Sequence, residues 1–106
     1  MAFDLIPLLK YAVEQECSDL HITVGEPPMV RAHGEIRTIK HDPLTEEEVH
    51  DAIYSILTDR QISEYEQEWE LDFGWRIAGV GRFRTNIYNH NRGEGAAFRI
   101  IPDEIR

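Results

Sequence analysis

The alternation of side chains along residues 82–89 and 94–101 constrains the fold of this 106-residue chain more than any other feature. In both stretches apolar side chains recur at every second position, which is typical of a strand with one buried face. Residues 90–93 (HNRG) lie between the stretches and predict a hairpin turn. The buried face of this hairpin is then formed by Phe83, Thr85 and Ile87 on the first strand and by Ala96, Phe98 and Ile100 on the second.

The opposite face of the predicted hairpin concentrates positive charge. A register centred between Asn91 and Arg92 sets Arg84 directly opposite Arg99, with Arg82 on the same face. Like charges in that position destabilise a sheet unless an anion or a carboxylate lies between them. Two interpretations therefore stay open from the residues alone. Either the arginines bind a compact anion, or nearby acidic side chains of the same fold neutralise them.

The charge of the chain is unevenly distributed. Twenty Asp and Glu residues against eleven Lys and Arg residues give a formal net charge of −9. Residues 42–72 are strongly acidic, a pattern that we interpret as a solvated face. Residues 73–101 contain a single acid, Glu94, and five arginines, namely Arg76, Arg82, Arg84, Arg92 and Arg99. The acidic balance argues against nucleic acid as a partner, because phosphate backbones require a net basic footprint.

The remaining segments predict a mixed architecture. A first helix is followed by a strand in residues 18–25 (SDLHITVG) and by two short strands in residues 29–39. Thr45 and Glu48 have the spacing of a capping box at the start of a second helix, and Asp59 is expected to cap a third. Helix, strands, two helices and strands together predict one α+β domain with a mostly antiparallel sheet.

Several classes of protein lack support in the sequence. No apolar run reaches the length of about 20 residues that a membrane-spanning helix needs. The single cysteine, Cys17, excludes an internal disulfide, and we expect it to be buried near a helix end. No hydrolase elbow, zinc motif or phosphate-binding GxxxxGKS or GxxxxGKT loop is present. We therefore expect that this chain alone is not an enzyme and binds neither ATP nor magnesium stably.

Two separated stretches resemble a known family. Residues 17–37 (CSDLHITVGEPPMVRAHGEIR) resemble the opening of PilT-type retraction ATPases of type IV pili, which are related to the secretion ATPases. Residues 81–102 (GRFRTNIYNHNRGEGAAFRIIP) resemble the end of the N-terminal domain of that family. The resemblance covers essentially the whole chain. It implies that residues 1–106 are one PAS-like domain and that the RecA-like ATPase domain of the family is absent. We expect an excised or truncated domain whose reading frame continues into a phosphate-binding loop.

The resemblance also implies a function. The domain would sense nucleotide and transmit motion in a hexameric, cytoplasmic, ATP-driven motor that retracts pili in twitching motility. By motif, Arg84 and Arg99 would reach the phosphates of ATP, with Arg82 as a further candidate, whereas Arg31 and Arg37 would serve contacts between domains or subunits. ATP and magnesium would be held by the C-terminal domain. The implied partners are that domain, neighbouring subunits of a homohexamer and the inner-membrane pilus platform protein, without membrane insertion.

Two alternatives of other classes remain open at this stage. The chain could be a stand-alone PAS-like sensor of a small anion, which would show a ligand pocket within the isolated domain. It could also be a purely structural assembly module, whose arginines pair with carboxylates of another subunit.

Overall fold

A computed structural model describes residues 3–90 and 93–102, so the predicted turn residues Asn91 and Arg92 lie outside the described residues. The described residues form three helices and one six-stranded sheet. The helices are α1 (Leu5–Glu14), α2 (Glu46–Ser55) and α3 (Asp59–Glu68). The strands are β1 (Asp19–Thr23), β2 (Met29–Ala32), β3 (Glu35–Thr38), β4 (Glu70–Ile77), β5 (Gly81–His90) and β6 (Gly93–Ile101).

The sheet confirms the expected α+β class. Its strand order is β3-β2-β1-β6-β5-β4, and every neighbouring pair is antiparallel. The first and last strands of the chain, β1 and β6, lie side by side in the centre. Because these two strands pair, Asp19 at the start of β1 lies opposite Arg99 near the end of β6.

One face of the sheet forms the core. Buried side chains of β1, β5 and β6 pack with buried side chains of the three helices in a single cluster. The largest fully buried side chains include Tyr65, Phe83 and Phe98, and Cys17 is buried as expected. Since strand side chains alternate between faces, the neighbours of these core residues point to the opposite, open face.

The predicted hairpin is confirmed in its register and in its faces. Phe83 pairs with Ile100, Thr85 with Phe98 and Ile87 with Ala96, and most of these side chains are buried. His90 pairs with Gly93, which is the register that the sequence predicted. Period-two alternation therefore determined correctly which side of this hairpin faces the core.

The cap of α3 differs from the expectation. Thr58, rather than Asp59, is the N-cap, and its hydroxyl oxygen accepts a hydrogen bond from the backbone amide of Gln61 at 3.2 Å. The Thr58 backbone amide in turn donates a hydrogen bond to Oε1 of Gln61 at 3.0 Å, which completes a capping box. Asp59 is the first helical residue, and its carboxylate there interacts favourably with the positive end of the helix dipole. The capping box predicted for Thr45 and Glu48 on α2 is confirmed.

Of the helices in the described part of the chain, none combines the length and the apolar character that a membrane crossing needs.

Candidate anion site on the open sheet face

Four charged side chains form a row across the open face of the sheet. Asp19 on β1 is paired in register with Arg31 on β2 on one side and with Arg99 on β6 on the other. Arg99 in turn is paired with Arg84 on β5. The order across four neighbouring strands is therefore Arg31, Asp19, Arg99, Arg84. The sequence predicted that the last two stand opposite each other, and the strand order adds the first two.

Asp19 is the most enclosed member of this row. Its side chain is only 11% exposed, and its two oxygens have different partners. Oδ1 accepts a hydrogen bond from Nε of Arg99 at 3.2 Å. Oδ2 accepts one from the Ser18 hydroxyl at 2.8 Å and lies 3.7 Å from Nε of Arg31. Asp19 therefore holds two arginines, one on each side of β1.

The environment keeps Asp19 ionised. Partial burial raises its pKa, but the hydrogen bonds from Ser18 and Arg99 and the positive charge of Arg99 outweigh that effect, and the pKa lies below its ordinary value. A carboxylate that accepts bonds on both oxygens is favoured over its protonated form for this reason. Asp19 thus remains a fixed negative charge at neutral pH.

Arg84 has a carboxylate of its own. Its Nε donates to Oδ1 of Asp72 on the neighbouring strand β4 at 3.3 Å. Both side chains are largely in solvent, with 69% of Arg84 and 52% of Asp72 exposed. Asp72 thus contacts Arg84 from the β4 side, and Asp19 contacts Arg99 from the β1 side. Among the residues that the structure describes, no carboxylate bridges the two guanidinium groups.

The two arginines use the same atom for these contacts. Arg84 and Arg99 each bond their carboxylate through Nε, and within residues 3–90 and 93–102 their terminal nitrogens donate no hydrogen bond. A guanidinium carries five N–H groups, four of them on the terminal nitrogens. Each arginine is therefore oriented by one edge while its other edge remains available for an anion.

A shallow concavity of about 320 Å³ lies over this row. Its floor includes the small side chain of Ala97, which is paired with His21 on one side and with Asn86 on the other. The lining consists of Asp19, His21, Arg31, Arg84, Asn86, Ala97 and Arg99. Three guanidinium groups, Asp19 and the adjoining Asp72 give a local charge of +1, on a chain whose formal net charge is −9. The concavity is thus a locally positive site that is large enough to admit a phosphate group.

The other predicted arginines lie elsewhere. Arg82 points to the same open face, opposite Arg76 on β4 and next to Ile101, but it does not line the concavity. Arg37 lies on β3, near Glu35 at 3.8 Å. Arg31, which the resemblance assigned to contacts between domains or subunits, lines the concavity beside Asp19. Arg92 lies outside the described residues.

Sequence reasoning missed a second polar cluster on the core side. Glu94, the one acid in the arginine-rich stretch, is 7% exposed. It accepts a hydrogen bond from the Tyr65 hydroxyl at 2.6 Å and lies 2.8 Å from Nδ1 of His50. Burial raises the pKa of Tyr65, and the hydrogen bond to Glu94 raises it further. This cluster fastens β6 to α2 and α3, and a glutamate inside an otherwise apolar alternation was its only signal in the sequence.

Metal ligands are sparse in the described ranges. Within residues 3–90 and 93–102, no group of three or more His, Cys, Asp or Glu side chains is arranged to hold a metal ion. The chemistry of the open face is instead that of guanidinium groups, which bind carboxylates and phosphates through paired hydrogen bonds.

Comparison with known proteins gives several matches along nearly the full chain. The chain is 44% identical over 102 residues to the type IV pilus retractation ATPase PilT of Pseudomonas aeruginosa, covering 96% of this chain and 30% of that protein. It is 34% identical over 105 residues to a twitching motility protein of Neisseria gonorrhoeae, covering 99% of this chain and 28% of that protein. The chain thus spans less than a third of the length of these relatives. No family model matches.

A solved structure has the same fold. The crystal structure of the pilus retraction motor PilT with bound ADP matches 98% of this chain and 31% of its own, with a TM-score of 0.88 and 34% sequence identity. The six-stranded antiparallel sheet and three helices correspond to the N-terminal domain of that protein.

Proposed function

We propose that this chain, which is homologous along its length to the PilT-type pilus retraction ATPases and corresponds to their N-terminal domain, senses nucleotide phosphate and transmits motion in an ATP-driven motor. In this proposal Arg84 and Arg99 bind the terminal phosphate of ATP. Arg82, on the same face but outside the concavity, contributes longer-range positive charge.

One observation carries the assignment of the site. Arg84 and Arg99 lie opposite each other, each held from its outer side through Nε, so that their terminal nitrogens are available above the concavity. Two guanidinium groups arranged in this way can give several charge-assisted hydrogen bonds to one phosphoryl group. Such bonds offset the repulsion between the paired arginines, which the sheet otherwise has to tolerate.

The proposal places the chemistry of hydrolysis outside these residues. Phosphoryl transfer needs a phosphate-binding loop and magnesium ligands, and the sequence contains no such loop. We assign ATP and magnesium to a C-terminal RecA-like domain of a longer protein, with Arg84 and Arg99 approaching the phosphates when the domains close. The relatives named above as pilus motor proteins support ATPase activity of that longer protein.

The proposed assembly follows from the same relationship. The longer protein would form a homohexamer in the cytoplasm and act on the inner-membrane pilus platform protein. Closure and opening of the two domains would transmit the state of the nucleotide to neighbouring subunits. The homology to a retraction motor favours neither the stand-alone sensor nor the purely structural module. Neither alternative explains why the chain is so similar to an ATPase.

The test is substitution in the longer protein. Arg84→Ala and Arg99→Ala each remove an exposed side chain that is not part of the core, so the fold should persist. We expect ATP hydrolysis to fall by about tenfold or more, which is less than the loss of about 10³-fold seen where an arginine mainly stabilises the transition state. Arg76→Ala removes an arginine from the same face outside the concavity and serves as the control. Hydrolysis at the parent rate in both site variants would refute the proposal.

A further inference from the structure

We infer that Asp72 is a displaceable internal ligand of Arg84, so that an arriving phosphate exchanges with this carboxylate while Asp19 stays bound to Arg99. The inference rests on the function proposed above, since it needs an anion at Arg84. It adds that Arg84 and Arg99, which are equivalent in the sequence pattern, have different roles: Arg84 exchanges its carboxylate and Arg99 keeps it.

The pair of Arg84 and Asp72 has the properties of a contact that exchanges easily. Its single hydrogen bond is 3.3 Å long, and both side chains are more than half exposed. Asp72 lies on β4, an edge strand of the sheet, and its side chain makes no other hydrogen bond among the described residues. Ion pairs of this kind contribute little to stability, because water solvates both partners well when they separate. The terminal nitrogens of Arg84 can bond an anion first, and because the contact to Asp72 is weak, a doubly charged phosphate group can then replace this carboxylate at Nε.

The pair of Arg99 and Asp19 has the opposite properties. Asp19 lies on a central strand with an 11% exposed side chain, and Ser18 and Arg31 engage its second oxygen. Displacement of this carboxylate from Arg99 would leave one oxygen of a shielded charge without its partner, which is costly. Because Arg99 uses only Nε for Asp19, its terminal nitrogens can bind an anion without breaking that contact.

Exchange at Arg84 has a consequence for the edge of the sheet. When phosphate binds the guanidinium of Arg84 in place of Asp72, the Asp72 carboxylate loses its partner and becomes an uncompensated negative charge on β4. The outer strand would then differ in charge between the anion-free and anion-bound states. The charge presented by β4 at the edge of the open face would thus indicate whether the anion site is occupied, without a change of fold.

The experiment compares three substitutions that each remove one negative charge. The 106-residue chain and its Asp72→Asn, Glu70→Gln and Asp19→Asn variants are titrated with inorganic tripolyphosphate, and binding is followed by NMR signals of the arginine Nε–H groups. Glu70 is the matched control, because it lies on the same strand and face and contacts Asn86 at 3.5 Å. Any effect of net charge alone is shared by all three variants.

We expect Asp72→Asn to tighten binding by about twofold to fivefold, the range that an exposed ion pair supports. Glu70→Gln should have a smaller effect, and Asp19→Asn should weaken binding by about twofold or more because Arg99 loses its orientation. The Nε–H signal of Arg84 should shift clearly more on titration than that of Arg99, whose Nε–H stays bonded to Asp19. Equal tightening in all three variants would overturn the inference and leave the anion site intact. Absence of tripolyphosphate binding at Arg84 and Arg99 in every form would instead overturn the proposed site itself.

Discussion

Arg84 on β5 stands directly opposite Arg99 on β6, and each guanidinium is held by a separate carboxylate on its outer side. Asp19 comes from the β1 side and Asp72 from the β4 side. The two interpretations left open by the sequence are therefore combined in the structure. Acids of the same fold do compensate the arginines, and among the described residues nothing else bonds the terminal nitrogens, which can reach a shared anion.

Arginine should not be replaceable by lysine at position 99. The guanidinium of Arg99 can bond Asp19 through Nε and an anion through its terminal nitrogens, whereas a lysine ammonium is a single point of contact. We predict that Arg99→Lys weakens tripolyphosphate binding to the chain by about fivefold or more. Arg76→Lys, on the same face outside the concavity, should bind as the parent does. Parent-like binding by Arg99→Lys would show that charge alone suffices.

The small side chain of Ala97 should matter for access to the site. It lines the concavity between His21 and Asn86, where a larger side chain would occupy part of the space beside the row of arginines. Ala97→Leu should weaken tripolyphosphate binding by about fivefold or more, while the thermal unfolding midpoint changes little because the residue faces outward. Calorimetric titration together with thermal unfolding would check both parts. Retained binding in a folded variant would place the anion elsewhere.

Much of this arrangement was predictable because it is local. Alternation and the turn predicted at residues 90–93 specify the register of the hairpin, and that register alone sets Arg84 opposite Arg99. The partners of the arginines were not predictable in the same way. Asp19 and Arg99 are 80 residues apart, and they meet only because β1 pairs with β6 in the centre of the sheet.

The cluster around Glu94 was hidden for the same physical reason. Its partners Tyr65 and His50 come from two helices, 29 and 44 residues away in the chain. A glutamate at a core position violates the binary pattern, and nothing in its own neighbourhood in sequence reveals what satisfies it. The predicted N-cap of α3 was wrong because two neighbouring residues can both cap a helix. Thr58 forms a capping box with Gln61, and Asp59 becomes the first helical residue.

Asp19 should make stability depend on pH in the acid range. Its folded-state pKa lies below the ordinary value of 3.8, so its contribution to stability is fully present above that value and is lost as the pH falls through the lower folded pKa. We predict that Asp19→Asn lowers the free energy of unfolding at pH 7 by about 1 kcal/mol or more, the scale of hydrogen bonds to a charged group.

The difference between the parent and Asp19→Asn should shrink as the pH is lowered below about 4. Urea unfolding at a series of pH values measures it. A difference that stays constant down to the lowest pH at which both chains fold would contradict the role of the ionised carboxylate.

Two tyrosines offer a matched pair for the second polar cluster. Tyr65 and Tyr54 each donate a hydrogen bond of 2.6 Å to a glutamate, but Tyr65 bonds the buried Glu94 and Tyr54 bonds Glu66 in an exposed position. Tyr65→Phe leaves Oε2 of the buried Glu94 without a donor, while Oε1 still lies 2.8 Å from His50, and should cost about 1–3 kcal/mol of stability. Tyr54→Phe should cost clearly less, because water can replace the lost bond. Equal losses in denaturant unfolding would show that Glu94 does not depend on Tyr65.

The most direct test of the central claim is a structure of the longer protein with a non-hydrolysable ATP analogue bound. The measurement is the distance from the terminal nitrogens of Arg84 and Arg99 to the oxygens of the terminal phosphate. We predict that both distances fall within the hydrogen-bond range of about 2.7–3.2 Å in the closed state, with Arg99 still bonded to Asp19. A closed, nucleotide-bound state in which neither arginine approaches the phosphate and Arg84 remains on Asp72 would contradict the account.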